Sequence, residues 1–141
     1  MEVREARTES ELIDALALRE RIFCGEQGVS FEADQDGRDS EATHIVAVDD
    51  GVVIGTCRLL FRGPVARLGR LAVERDRRGD GIGAEILAEA DRIASEAGSA
   101  SIALHAQTYA LPLYERAGYE TYGPTFVKEG IEHVAMEKQL A

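Results

Sequence analysis

Arg78-Gly79-Asp80-Gly81-Ile82-Gly83-Ala84 lies between a strand-like run, Ala66 to Glu74, and an amphipathic run, Ile82 to Ala97. Glycines at 79, 81 and 83 let the backbone turn tightly and leave consecutive N–H groups without side-chain cover. The start of the following helix adds unpaired N–H groups and the positive end of its dipole, a natural seat for a phosphate. Arg78 brings a charged donor fork to the same mouth. A diphosphate suits this arrangement, and a plain turn is the bland alternative. The residues also satisfy Gly79-x-Gly81-x-x-Ala84, a dinucleotide fingerprint, which needs a carboxylate about 20 positions on at the end of the next strand. That strand ends Ala103-Leu104-His105-Ala106, with no carboxylate. No Gly-Lys-Ser/Thr occurs, which excludes a P-loop.

Outward from this segment, Ile82, Ile86, Ala90, Ile93, Ala94 and Ala97 fall along one helical face, and Gly98 closes the helix. Ala100 to Leu104 reads as a strand. Strand 66–74, helix 82–97 and strand 100–104 then form a βαβ unit, whose strands are expected to be parallel neighbours. Towards the N-terminus, Val3 to Ala6 reads as a strand. Thr8 with Glu11 makes a capping box for a helix over 9–23, with Leu12, Ile13, Leu16, Arg19 and Phe23 at helical spacing. From Cys24 to Thr43 the pattern fades into glycines and charges, a functional loop with room for one short helix. His44–Val48 and Val52–Phe61 form a hairpin across Asp49-Asp50-Gly51, and Gly63-Pro64 turns the chain into 66–74. Beyond the βαβ unit come a short helix, Tyr109–Ala117, and strands Tyr119–Tyr122 and His133–Gln139.

The 141 residues suit one domain, 1–141, with 45% hydrophobic and 30% charged residues. No apolar run approaches the roughly 18 residues of a membrane helix. The charged start, Met1-Glu2-Val3-Arg4-Glu5, lacks the apolar stretch of a secretory signal, so a cytoplasmic location is expected. Cys24 and Cys57 lack metal-ligand spacing and are expected to be buried free thiols. A net charge of -10 argues against nucleic acid. Against that background Arg67, Arg70, Arg75, Arg77 and Arg78 crowd into twelve residues, which suggests an anion nearby. Glu32, Asp34, Asp36, Asp39 and Glu41 read as a solvated loop, with attraction of a cationic amine as the alternative.

Two blocks together resemble the GNAT superfamily of acyl-CoA-dependent N-acetyltransferases, over nearly the whole chain. One is Leu68-Gly69-Arg70-Leu71-Ala72-Val73 followed by Arg78 to Gly83; the other is Leu111-Pro112-Leu113-Tyr114-Glu115-Arg116-Ala117-Gly118-Tyr119. The stretch Arg21-Ile22-Phe23-Cys24-Gly25-Glu26-Gln27-Gly28-Val29, with Asp36, Asp39, Ala42-Thr43-His44, Phe126, Glu129-Gly130-Ile131 and His133, is most similar to the ElaA-like, YjcF-like branch. The resemblance implies a single α/β (α+β) domain. Its sheet would be mixed but mostly antiparallel, with about seven strands, a central splayed parallel pair and about four flanking helices. It also implies direct transfer of an acetyl group from acetyl-CoA to a primary amine of a small molecule or peptide, without a metal. A non-catalytic acyl-CoA binding module is the alternative, and the superfamily's frequent dimers leave a homodimer open.

Residue roles follow from the same resemblance. Leu71, Ala72 and Val73 would bind the pantetheine arm through the main chain, and an N–H near Val73 would polarise the thioester. Arg78, Gly79, Asp80, Gly81, Ile82, Gly83 and Ala84 would hold the diphosphate. Gln107 stands where many members have an asparagine that touches the cofactor. Tyr114 matches the general acid, and phenol and thiol pKa values of about 10 and 8.5 make that transfer feasible. Glu26 is the candidate base, with His44, His105 and His133 as alternatives. Cys24 is not required, since direct transfer forms no covalent enzyme intermediate.

Overall fold

The computed structural model describes residues 1–140. In chain order the elements are β1 (Glu2–Glu5), α1 (Glu9–Glu20), α2 (Phe31–Asp34), β2 (Thr43–Asp49), β3 (Val52–Arg62), β4 (Val65–Val73), α3 (Ile82–Glu96), β5 (Ser101–Gln107), α4 (Leu111–Arg116), β6 (Glu120–Lys128) and β7 (Ile131–Gln139). The strands form one sheet, ordered β1-β2-β3-β4-β5-β7-β6. Every neighbouring pair is antiparallel except β4 and β5. This is the α/β fold with a single parallel pair that the resemblance implied.

Local chemistry sets the connections. Asp50 and Gly51 (φ 51° and 77°) close the β2–β3 hairpin, and Glu129 and Gly130 (φ 53° and 72°) close β6–β7. Two successive positive φ values match the twist of the flanking strands. Thr8 caps α1 by accepting from the Glu11 N–H (3.1 Å). The Glu11 carboxylate reaches back to the Arg7 N–H (2.8 Å) and to the Arg4 guanidinium (2.7 Å).

α3 buries Ile82, Ile86, Leu87, Ala90 and Ala94 against Ile45, Leu59, Leu68, Ile102, Leu104 and Met136 of the sheet. Gly55 permits this approach: a Cβ there would lie 2.8 Å from Ile86 Cδ1 and 3.2 Å from Ile82 Cγ2. Ile86 is fully buried and has little room to yield. Gly55→Ala is therefore expected to cost about 1–3 kcal/mol, read as a lower urea midpoint at unchanged slope.

On the opposite face α1 packs Ala15, Leu18 and Ile22 onto Val46, Val53 and Ala72. Its contacts fall on β2, β3 and β4, so no helix covers the β5–β7–β6 half of that face among the described residues. The buried stripe differs from the one expected: Ile13 is 58% exposed, and Arg19 is buried among the charges described below. The helix also changes character after Glu20. Residues Arg21–Glu26 are π-helical, with the Gln27 N–H bonding the Ile22 carbonyl (3.1 Å). The expected loop 24–43 holds α2 and a 3₁₀ turn, Asp39–Glu41.

β6 runs to Lys128 rather than stopping at Tyr122. Gly123-Pro124 reads as a break, yet here it is absorbed as a register shift between Tyr122 and Phe126. β6 is an edge strand, where a proline's missing N–H loses no ladder bond.

Candidate functional site

β4 and β5 pair only through Val65↔Ser101, Ala66↔Ile102 and Arg67↔Ala103. Beyond Arg67 they part, leaving Leu68 to Val73 without a strand partner on the β5 side. A bulge contributes. Arg58 and Thr56 of β3 face Gly69 and Ala72, so two β4 residues oppose Cys57, and Arg70 takes φ 56°. The cleft's β4 wall therefore carries Leu71, Ala72 and Val73 with no strand partner on that side.

At the end of this wall the chain passes through Arg78 to Gly81 into α3. Gly79 and Gly81 hold φ 91° and 82°, conformations that cost other residues strain, and no atom lies within 4 Å of a Cβ added at either. The first backbone bond into α3 runs from the Glu85 N–H to the Gly81 carbonyl (3.2 Å). The N–H groups of Ile82, Gly83 and Ala84 precede it and have no partner among the described residues. Arg78 donates to the Val73 carbonyl (3.2 Å) and grips the Glu26 carboxylate (2.9 Å). The candidate phosphate ligand and the candidate base are therefore each other's partners. Asp80 is engaged by Arg77 (3.4 Å).

Pro112 begins α4 in its first turn, and that helix carries Tyr114. Its ring is buried, 8% exposed, edge-on to Tyr119 with ring centres 6.1 Å apart. Its hydroxyl has no hydrogen-bond partner among the described residues, yet it is not sealed off as the Tyr119 hydroxyl is. Burial, with minor help from Cys57 and Tyr109, pushes its pKa well above an ordinary phenol. Tyr114 thus stays protonated across the neutral range. Gln107 ends β5 and donates to the Gln27 side chain (2.7 Å), which donates in turn to the Tyr109 hydroxyl (3.4 Å). Gln27, bridging the 21–29 segment to β5, was not singled out from sequence. Its only signal there was membership of the ElaA-like stretch.

Two of the three histidines are buried with backbone carbonyl partners. His44 is buried and its Nε2 bonds the Asp39 carbonyl (2.9 Å). His133 is buried, its Nδ1 bonds the Ile131 carbonyl (2.7 Å), and its ring stacks on Phe126. Only His105 is exposed. Cys57 is buried, and burial pushes its thiol up to about 12. Cys24 is half-buried, not buried as expected, and desolvation raises its thiol too.

Of the five carboxylates read as a solvated loop, Glu32 and Glu41 are exposed as expected, but Asp34, Asp36 and Asp39 are gripped. Arg19 pairs with Asp34 (3.1 Å) and Asp39 (2.7 Å), Arg58 with Asp36 and Asp39 (3.0 Å), and Arg70 with Asp34 (3.3 Å) and Asp36 (3.4 Å). Three arginines and three aspartates balance, pinning this segment to the sheet. Hydrogen bonds from Arg58 hold Asp36 well below the usual carboxylate range. Burial pushes Asp39 upward, but Arg19 and Arg58 outweigh it and leave it lowered. A carboxylate with a depressed folded pKa contributes stability above its unfolded value, about 3.9, and loses it as pH falls through the folded value. Thermal melts should therefore be flat from neutrality to about pH 5 with respect to this network, then fall steeply below about pH 4.

The arginines crowded in the sequence also separate in space. Arg70 joins this network, Arg77 pairs with Asp49 (2.8 Å), Arg78 with Glu26, and Arg75 is exposed. Arg67 is left at the apex of the splay.

Comparison with known proteins agrees with this geometry. Residues 11–140 match the family described as the acetyltransferase (GNAT) domain. The chain is 33% identical over 134 residues to the uncharacterized N-acetyltransferase YjcF of Bacillus subtilis, covering 94% of this chain and 96% of that one. Escherichia coli ElaA superposes with a TM-score of 0.87 at 21% identity, covering 98% and 99% of the two chains. An aminoglycoside 6′-N-acetyltransferase solved with coenzyme A superposes at 0.78, with 16% identity and 100% and 98% covered. The partly paired β4 and β5, the glycine turn into α3 and the match over 130 residues place this chain in the GNAT acetyltransferase family.

Proposed function

We propose that the chain transfers the acetyl group of acetyl-CoA directly to a primary amine of a small molecule or peptide. The observation that carries this is continuity. The partnerless edge of β4 leads straight to the free N–H groups at the start of α3, so one extended thioester can lie along the strand with its diphosphate on the helix. The open space around Gly79 and Gly81 fits such a guest. The structural neighbour that carries coenzyme A has the same fold.

Acetyl-CoA supplies an activated acyl group and a thiol leaving group. The chain supplies the rest. Main-chain groups of Leu71 to Val73 bind and orient the arm, and an N–H near Val73 polarises the acyl carbonyl. Tyr114 keeps its proton and gives it, or a hydrogen bond, to the departing sulfur. The amine approaches from the uncovered face beside Gln27 and Gln107. Glu26 accepts its proton, directly or through water, once Arg78 turns from it towards phosphate.

Thermal melts test the cofactor half of this reading. Coenzyme A at 100 times its dissociation constant should stabilise the fold by about 2.7 kcal/mol, and NAD or ATP should not. Gly81→Val, which strains the positive φ and screens the cradle, should abolish the shift. Equal stabilisation by NAD would contradict the reading.

A further inference from the structure

Beside the acceptor route the sheet carries two cationic side chains, Arg67 and Lys128, that form no ion pair among the described residues. Arg67 is the last β4 residue paired to β5, so it stands where the two strands begin to part. Its partner in register is Ala103, whose neighbour on the same face is His105, two residues along β5. His105 is opposite Ala135, and Phe126 is opposite His133. Alternation along the strands thus puts Arg67, His105, His133, Phe126 and Lys128 on the face that no helix covers. Side-chain contacts agree. Lys128 Nζ donates to His105 Nδ1 (3.3 Å), and the His105 ring meets Phe126 edge-on at 5.0 Å.

A lysine donating to an imidazole has found no anion. Neither Lys128 nor Arg67 forms an ion pair among the described residues, although 26 carboxylate side chains give this protein a charge of -10. Most nearby carboxylates are committed elsewhere; Glu129, in the turn beside Lys128, is not, and its charge offsets part of the lysine's without pairing with it among the described residues. Asp34 and Asp36 serve Arg19, Arg58 and Arg70. Glu132 accepts from Thr108 (3.0 Å), and Glu137, further along the same face, accepts from Gln139 (2.8 Å). The two cations also sense each other. Partial burial, then the charges of Arg70 and Arg67, lower Lys128; burial, then Lys128 and Arg67, lower His105. Holding like charges together costs free energy, which an oxyanion between them would recover. His105 is two strand residues, about 7 Å, from Gln107 at the mouth of the proposed acetyl site, so an amine and an anion several bonds apart can occupy both.

We propose that the acceptor is an amine that also carries an oxyanion, a carboxylate or a phosphate, gripped by Arg67 and Lys128 at the apex of the β4–β5 splay. This rests on the acetyl-transfer reading and names its substrate class. Arg67 and Lys128 are specificity-determining residues, and the acidic 24–43 segment, already neutralised, does not recruit a polycationic amine.

Matched pairs of amines test it: O-phosphoethanolamine against ethanolamine, and β-alanine against its amide, assayed by thiol release from acetyl-CoA. The anionic member of at least one pair should have kcat/KM about tenfold or more above its neutral partner. Which pair responds separates phosphate from carboxylate. In Arg67→Gln and in Lys128→Gln that ratio should collapse towards one. Ratios at or below one in both pairs overturn the inference while leaving acetyl transfer standing. If no amine turns over although coenzyme A binds, the acetyl-transfer reading fails by itself. Amide NMR shifts with the same four compounds then decide the anion site. Shifts at His105 and Lys128 with an anionic member only, absent in Lys128→Gln, support it; no shift with either anion overturns it.

Discussion

Tyr114→Phe is expected to lower kcat about 10²- to 10³-fold while leaving affinity for coenzyme A within about twofold. The two rings fill the same volume, so the edge-on contact with Tyr119 and the packing of α4 survive. What disappears is one hydroxyl, which has no hydrogen-bond partner among the described residues to compensate it. The loss should therefore sit in the chemical step. Burial makes Tyr114 a weaker acid than a free phenol, so the transfer works only where the sulfur is equally desolvated and its own proton affinity is raised. The wild-type kcat profile should then have no alkaline limb near pH 10 assignable to this tyrosine. Single-turnover rates with acetyl-CoA and calorimetric titration with coenzyme A check the two halves. A variant that loses affinity and rate together would move Tyr114 from acid to structural support.

Arg19→Met should destabilise the fold by about 3–5 kcal/mol, because it removes the more deeply buried partner of Asp34 and leaves that buried carboxylate only the half-buried Arg70. Arg19 is 2% exposed and Asp34 1%. Asp34 Oδ1 already lacks a hydrogen bond and depends on the charges of Arg19 and Arg70. In a domain whose whole stability is about 5–15 kcal/mol this is a large share, equivalent to roughly 10–20 °C in Tm. Circular dichroism melts read it. Adding Asp34→Leu to Arg19→Met should restore part of the loss, since the stranded charge goes with it. The functional echo lies downstream. The pinned segment carries Asp34, Asp36 and Asp39 and follows directly on Glu26 and Gln27, so partial detachment should raise KM for the amine more than for acetyl-CoA.

Helix α3 and its glycine turn are legible in the sequence because local residues determine them: Gly79 and Gly81 supply the positive φ, and Ile82, Ile86 and Ala90 the buried stripe. The β2–β3 hairpin is legible through Asp50-Gly51 for the same reason. Less local facts were not. The pairing of Arg78 with Glu26 joins residues 52 positions apart, and the balanced cluster joins α1, the 30–39 segment, β3 and β4. A charge run gives no hint of which charges will find partners, so carboxylates that read as solvated turned out to be gripped. The five arginines read as one anion site and separated, because a strand, a bulge and a turn point neighbours in different directions. The extent of β6 beyond Tyr122 is not legible, since an edge strand's tolerance for Pro124 depends on sheet position, which the sequence does not display.

In the proposed reaction the cleft between β4 and β5 delivers acetyl-CoA to an amine. The most direct test is mass spectrometry of amine mixtures incubated with the enzyme and acetyl-CoA bearing a labelled acetyl group. The expected result is an amine product carrying the label, formed in step with thiol release and suppressed in Tyr114→Phe. Saturated binding of coenzyme A with no labelled amine, across neutral, cationic and anionic acceptors, would contradict it and leave a module that binds the thioester without using it.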